Sequence, residues 1–303
     1  MNDATKKIQF SWHYTWRNIP DELIPHLFAE YRCHGGTSLV FPECWLERIL
    51  LDPKFFYQLM LMAQEQHVSF TDAHGLSGPT WGMGVGAKFH SGLDYLYESQ
   101  KLGISYAAEA GCRTYTVHMG AFDHIYFGTP VKDSSRYAVE MLERLLPIAE
   151  KNKIVIACEN NFDNTGNADA LLPVLEHFDS PWIGCCFDIG HANRLKPTPG
   201  KKPKIYEATG IPRALCANSL EKLSPHIVTC HLHDNNESRD EHKLPGQGTV
   251  DWKNDLPKLL ACPRLVSCQT EVEMTKNIVS VSDLFKTFHE LFASVGHEDI
   301  LNS

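Results

Sequence analysis

Eight short runs of apolar, β-branched and aromatic residues recur along the chain, and stretches of helical periodicity separate them. The runs are Ile8 to His13, Ser38 to Glu43, His67 to His74, Arg113 to His118, Lys153 to Glu159, Trp182 to Asp188, His226 to His233 and Arg264 to Glu271. Such strands are apolar on both faces, as parallel strands covered by helices must be. Eight strands alternating with eight helices point to an α/β fold, a single closed (β/α)8 TIM barrel over residues 1–303, with an open doubly wound sheet as the competing arrangement. Both place ligands beyond the C-terminal ends of the strands.

The helical stretches are Pro20 to Cys33, Trp45 to Gln66 with a break at Pro53, Ser91 to Ala110 ending at Gly111, and Ser135 to Asn152. Asp169 to Phe178, Ile211 to Leu223, Trp252 to Leu260 and Ser280 to Ser294 complete the set.

The strand ends carry the chemistry. Runs three and four end at His74 and His118, run five at Glu159, and run six at Asp188 with His191 three residues on. Run seven ends in His231 and His233, and run eight at Glu271, whereas His13 and Glu43 close the first two runs. A lone histidine at a strand end is commonly a hydrogen-bonded structural residue. A barrel, however, gathers all eight ends at one mouth, where several carboxylates and imidazoles repel or go unpaired unless a cation holds them. A divalent metal ion (Mn, Mg, Co or Zn) is therefore expected. His231 and His233 lie at i and i+2, on one face of a strand, so one serves as ligand and the other as its outer partner. Asp240-Glu241-His242 adds a carboxylate and an imidazole in the following loop, where a merely solvated loop is the plainer reading.

Composition excludes other classes. With 28 Lys and Arg against 37 Asp and Glu, the formal net charge is −9, which argues against a nucleic-acid partner. Met1 to Tyr14 lacks the apolar core of a secretory leader, and no apolar run approaches the roughly 20 residues of a membrane span. Ten Cys without a CxxC pair read as reduced thiols, several within apolar runs, which fits a cytoplasmic protein. No GxSxG elbow or His-paired Cys points to nucleophilic hydrolysis.

The segments ACEN (157–160), FDIGH (187–191), HLHDN (231–235), DEHKLPGQGTVDW (240–252) and TEVE (270–273), with weaker matches at DAHG (72–75) and VHMG (117–120), resemble the xylose isomerase-like barrel superfamily. That superfamily contains sugar and sugar-phosphate isomerases and epimerases, and also endonuclease IV. The resemblance implies a metal site of Glu159, Asp188, His231 and Glu271. Glu159 and Glu271 would be the acid/base pair, moving a proton at a sugar carbon through a metal-stabilised enediolate. It also implies that His191 and Arg239 bind substrate. The implied activity is a metal-dependent isomerase or epimerase of a small sugar or sugar derivative, with homo-oligomers common among relatives.

The endonuclease IV side of the resemblance implies a multi-zinc phosphoesterase. Its nine metal positions would fall at His74, His118, Glu159, Asp188, His191, His231, Asp240, His242 and Glu271, all filled by suitable residue types. The extra metal ligands of that reading are His74, His118, His191, Asp240 and His242. Charge favours the small-molecule reading: Arg194, Lys196, Lys201 and Lys202, in a loop at the mouth, suit one sugar phosphate better than a duplex. The run Gly82 to Gly86 reads as a flexible mouth loop rather than a nucleotide site, because it lacks the GxGxxG spacing and a P-loop lysine. Trp16, Trp81 and Phe89 either line a sugar-binding wall or pack in the core.

Overall fold

Each apolar run becomes a strand, because only a sheet sheathed by helices buries both of its faces. The computed structural model describes residues 7–76, 83–87 and 93–302; Trp81, Gly82 and Phe89 lie outside the described residues. The strands are β1 (Gln9–Ser11), β2 (Ser38–Phe41), β3 (Ser69–His74), β4 (Thr114–His118), β5 (Val155–Glu159), β6 (Ile183–Asp188), β7 (Ile227–Leu232) and β8 (Ser267–Thr270). Every residue of β2, β6, β7 and β8 is buried. The strands form one parallel sheet in the order β1-β8-β7-β6-β5-β4-β3-β2. Between β1 and β2 a single parallel bridge, Trp12 with Leu39, shuts the cylinder: Trp12 N–H donates to the Ser38 carbonyl and Val40 N–H to the Trp12 carbonyl, both at 3.0 Å. The result is a (β/α)8 barrel.

The helices are α1 (Ile24–Cys33), α2 (Glu43–Leu51), α3 (Lys54–Glu65), α4 (Leu93–Glu109), α5 (Phe122–Phe127), α6 (Val131–Asn152), α7 (Ala168–Glu176), α8 (Ile189–Leu195), α9 (Ser219–Leu223), α10 (Trp252–Leu260), α11 (Met274–Asn277) and α12 (Val281–Ser294). Pro53 separates α2 from α3, since it cannot donate within a helix. Gly111 follows α4 with φ +100°, a conformation costly for any residue with a Cβ. Ser280 caps α12 by accepting from Asp283 N–H at 3.0 Å.

Two sequence expectations change, and the two readings of Trp16 are decided. The stretch Ile211 to Leu223 is helical only at α9, because residues 204–213 fold back on themselves through an Ile205–Pro212 bridge and an Arg213 N–H bond to the Lys204 carbonyl. Residues 83–87, expected to form a flexible loop, are fixed on the end of β4: Val85 is buried, Val85 N–H donates to the His118 carbonyl, and Gly86 N–H to that of Met119. A Cβ at Gly84 would strike the Gly120 backbone, so this close approach requires glycine. Trp16 packs into a cluster with Tyr14, Phe28 and Trp45.

Two layers fill the fold. Outside the strands, α12 lays Phe285, Phe288 and Phe292 over Phe10 and Trp12, with Trp12 and Phe285 stacked at 3.7 Å. Inside the barrel, buried Asp72 accepts from Ser11 at 2.6 Å and from Thr114 and Ser267 at 2.5 Å each, tying β3 to β1, β4 and β8. Burial raises its carboxyl above the ordinary range despite those hydroxyls. None of the ten cysteines is in a disulfide, and eight of them are buried. Among the described residues no helix is long and apolar enough to cross a membrane.

Candidate metal centre

Six of the eight strands, β3 to β8, bring a polar residue at or beside their C-terminal end to the same mouth. His74, His118, Glu159 and Asp188 are the last residues of β3, β4, β5 and β6, His231 is next to last in β7, and Glu271 directly follows β8. Asp188 also starts α8, accepting from His191 N–H at 2.6 Å, and so places His191 one turn into the mouth. The loop after β7 returns Asp240 and His242, the latter in the left-handed region at φ +47°.

These side chains sort into three adjoining groups, within each of which the ligand atoms lie within 4.8 Å of one another: His74, His118 and Glu159; Glu159, Asp188, His231 and Glu271; and His191, His233, Asp240 and His242. Glu159 belongs to two of them. His118 Nε2 lies 3.0 Å from Glu159 Oε2, and His231 Nδ1 lies 3.1 Å from Glu271 Oε2 and 3.6 Å from Glu159 Oε1. His233 Nε2 stands 3.1 Å from Asp188, and its ring stacks on His242 at 3.9 Å. His231 therefore sits in the central group, while His233 joins that group to the third. The shared face of His231 and His233 was the sequence signal for this.

Six buried atoms in the cluster make no hydrogen bond of proper geometry: His118 Nε2, Glu159 Oε2, His231 Nδ1, His233 Nδ1, Asp240 Oδ1 and Glu271 Oε2, although His118 Nε2 faces Glu159 Oε2 and His231 Nδ1 faces Glu271 Oε2 as close charge pairs. Orphans of this kind are costly without a counter-group. Three histidines show the arrangement typical of ligands, in which Nδ1 donates to a backbone carbonyl and Nε2 turns to the cluster: His74 to Gly75 at 3.1 Å, His191 to Asn160 at 3.0 Å and His242 to Glu271 at 2.8 Å. The donor set of imidazoles and carboxylates fits a divalent transition metal.

Burial alone would push Glu159 up and the imidazoles down, but their mutual charges win. His118 and His231 hold Glu159 well below the usual carboxylate range, and His191 and His233 do the same for Asp188. Against its own burial, His242 is raised to about 9 by Asp240. Cation binding to these carboxylates and imidazoles would compete with protons. His13, in none of the three groups, is lowered to about 4 by burial.

A cavity of about 530 Å³ opens over the cluster, lined by His74, His118, Glu159, Asp240, His242 and Glu271 on one side and Phe122, Phe162, Tyr206 and Arg213 on the other. A neighbouring cavity of about 570 Å³ reaches His13, Trp16 and Glu43. Arg239, expected to bind substrate, is exposed and lines neither cavity. In the turn that carries it, Asn236 Oδ1 accepts from Ser238 N–H at 3.1 Å. Of the expected group of four cations, Arg194, Lys201 and Lys202 line one adjoining cavity, with Lys201 paired to Glu237, whereas Lys196 pairs with Asp255 away from it. Arg213 enters the cavity from an irregular segment with no sequence signature.

Residues 65–261 match the family described as xylose isomerase-like TIM barrel. An uncharacterized protein of Methanocaldococcus jannaschii is 29% identical over 167 residues, 52% of this chain and 49% of that protein. The chain thus spans about half the length of that relative, and 32% of the second, the uncharacterized protein y4fM of Sinorhizobium fredii, at 24% identity over 39% of this chain. Among solved structures, a D-tagatose 3-epimerase-like protein superposes with TM-score 0.72 at 19% identity, covering 96% of this chain and all of that one. The 3-keto-D-glucoside 4-epimerase YcjR of E. coli gives 0.67 at 14%, covering 95% and 99%, and the IolI protein with a zinc atom gives 0.69 at 15%, covering 95% and 98%. With its barrel, the order of its strand-end residues and a match over well over half its length, this chain belongs to the xylose isomerase-like TIM barrel family.

Proposed function

We propose that the protein is a divalent-metal-dependent isomerase or epimerase of a small sugar or sugar derivative. The observation that carries this reading is the placement of Glu159 and Glu271 in one four-ligand group, on β5 and after β8, with both carboxylates facing the same cavity. A cation held by Glu159, Asp188, His231 and Glu271 would polarise a carbonyl and its neighbouring hydroxyl. One glutamate takes the proton from the carbon beside that carbonyl, and the other returns one on the opposite face. Flanking imidazoles keep both carboxylates ionised, as a base requires. The epimerases among the fold relatives support the same reaction class.

The test is deuterium incorporation from solvent into a panel of ketoses. Wild type should exchange a carbon-bound proton with at least one of them, and Glu159→Gln and Glu271→Gln should abolish exchange while leaving the fold intact. Near-normal exchange in both variants would refute the mechanism.

A second reading, phosphoester hydrolysis by two or three metals, is favoured by the three adjoining ligand groups. Metal content separates the two. About one ion per chain supports the isomerase, and about three, mostly zinc, supports the phosphoesterase.

A further inference from the structure

Arg194 and Arg213 flank one aromatic ring at the edge of the cavity. Arg194 follows His191 by three residues in α8, so the two share a helix face. Its guanidinium lies over Phe162 at 3.7 Å, while the same ring meets His191 edge-on at 5.0 Å. Arg213 stands 5.8 Å from Phe162 and 4.9 Å from Tyr206. Arg213 and Phe162 line both the main cavity and an adjoining one of about 460 Å³, which Arg194 also lines.

The Arg194 side chain is only 9% exposed, and its Nε and Nη1 are buried with no hydrogen-bond partner. Arg213 Nε is in the same condition. Nearby carboxylates do not answer them. Asp163 Oδ1 accepts from Thr165 N–H, Thr165 Oγ1 and Gly166 N–H, and Glu237 pairs with Lys201. Of these only Asp240 approaches: it turns Oδ2 to His191 and His242, and its Oδ1 makes a long ion pair with Arg194 at 4.0 Å, too far for a hydrogen bond. A lone carboxylate oxygen could not serve both guanidinium groups in any case. Two like charges around one ring, with buried donors that make no hydrogen bond, favour an anion between them. Guanidinium forks bind phosphate and carboxylate with paired donors.

We propose that Arg194 and Arg213 form a subsite for an anionic group of the substrate, a phosphate or a carboxylate remote from the reacting carbon. This rests on the isomerase reading for the identity of the reacting end, and narrows the substrate class to acidic sugars or sugar phosphates. Phe162 holds the two guanidinium groups in place, and its position between His191 and the arginines sets the anion beside the metal cluster without joining it.

The test is calorimetric titration of the protein with its native metals, using three probes on one carbon frame: glycerol 3-phosphate, glycerate and glycerol. At least one anionic probe should bind about tenfold or more tightly than glycerol, a gap typical of charge-assisted pairing. Whichever of the two binds more tightly identifies the anion. Arg213→Gln, which touches no metal ligand, should remove most of that gap with unchanged metal content, and Arg194→Gln should do the same. A preference that survives both variants places the anion on the metals and overturns the proposal, as does an absence of preference in wild type. An arginine-dependent preference in a protein that exchanges no ketose proton would keep the subsite and discard the isomerase reading.

Discussion

Replacing Gly190 by alanine sets helix propensity against the metal cluster. Gly190 is the second residue of α8, where alanine ordinarily stabilises by roughly 0.5–1 kcal/mol. A Cβ at this position would overlap the His233 imidazole at Cε1, Nδ1 and Nε2. That ring has no room to yield: it is fully buried and lies against His242 at 3.9 Å with planes 10° apart. Restoring ordinary contact needs a retreat of about 1 Å or more, which breaks the 3.1 Å contacts between His233 Nε2 and Asp188. Overpacking of this kind costs about 1–3 kcal/mol, so the net loss should be about 1–2 kcal/mol, a fall of roughly 2–4 °C in melting temperature for a chain this size. The sharper effect falls on metal. Asp188 belongs to the central ligand group, and losing a partner that orients a ligand typically weakens binding 10- to 100-fold. Chelator competition followed by elemental analysis measures it. A variant that melts higher than wild type and retains its metal against chelator would show that His233 does not support the site.

Other perturbations have equally definite outcomes. Asp72→Ala should leave the buried hydroxyls of Ser11, Thr114 and Ser267 without their shared acceptor and cost about 3 kcal/mol or more, read by denaturant unfolding; a loss below about 1 kcal/mol would contradict its role as the hub of the barrel interior. Stripping metal with chelator should lower the melting temperature by several degrees, reversibly on adding zinc or manganese, because ligand bound at about 1,000 times its Kd contributes about 4 kcal/mol; an unchanged melting curve would count against a bound ion. A thiol reagent at pH 8 should label Cys33 promptly and the other nine only after unfolding, since Cys33 alone is exposed and burial raises even the half-buried Cys44 to about 12. Rapid labelling of several thiols in native protein would disprove that packing.

The strands were legible because β5, β6 and β7 are nearly continuous apolar runs that stop at or beside a histidine or carboxylate. The central ligands followed from them, since a barrel turns eight distant sequence ends into neighbours. Helices α5 and α8 were not legible. Each is at most seven residues long, and α8 carries Gly190 near its start, so neither shows a periodic signal. The exposure of Arg239 was not legible, because its place in the sequence says nothing about which way a turn faces. Arg213 could not be found at all, for it reaches the cavity through the fold-back of residues 204–213, a tertiary event with no local pattern.

The cylinder has a seam. Every neighbouring pair of strands shares a ladder except β1 and β2, which meet at the lone rung of Trp12 and Leu39. From the β1 side of that seam, two ties run to the far end of β8: His13 N–H to Thr270 Oγ1 at 2.8 Å and Thr15 Oγ1 to Glu273 at 2.9 Å. Glu271 hangs between those ties, whereas Glu159 is anchored in unbroken masonry on the opposite wall. The two glutamates proposed to carry protons thus stand on ground of unequal stiffness, and thermal breathing of the wall should be felt first by Glu271. Amide exchange would register the asymmetry, with Trp12 and Val40 opening well before Ile156.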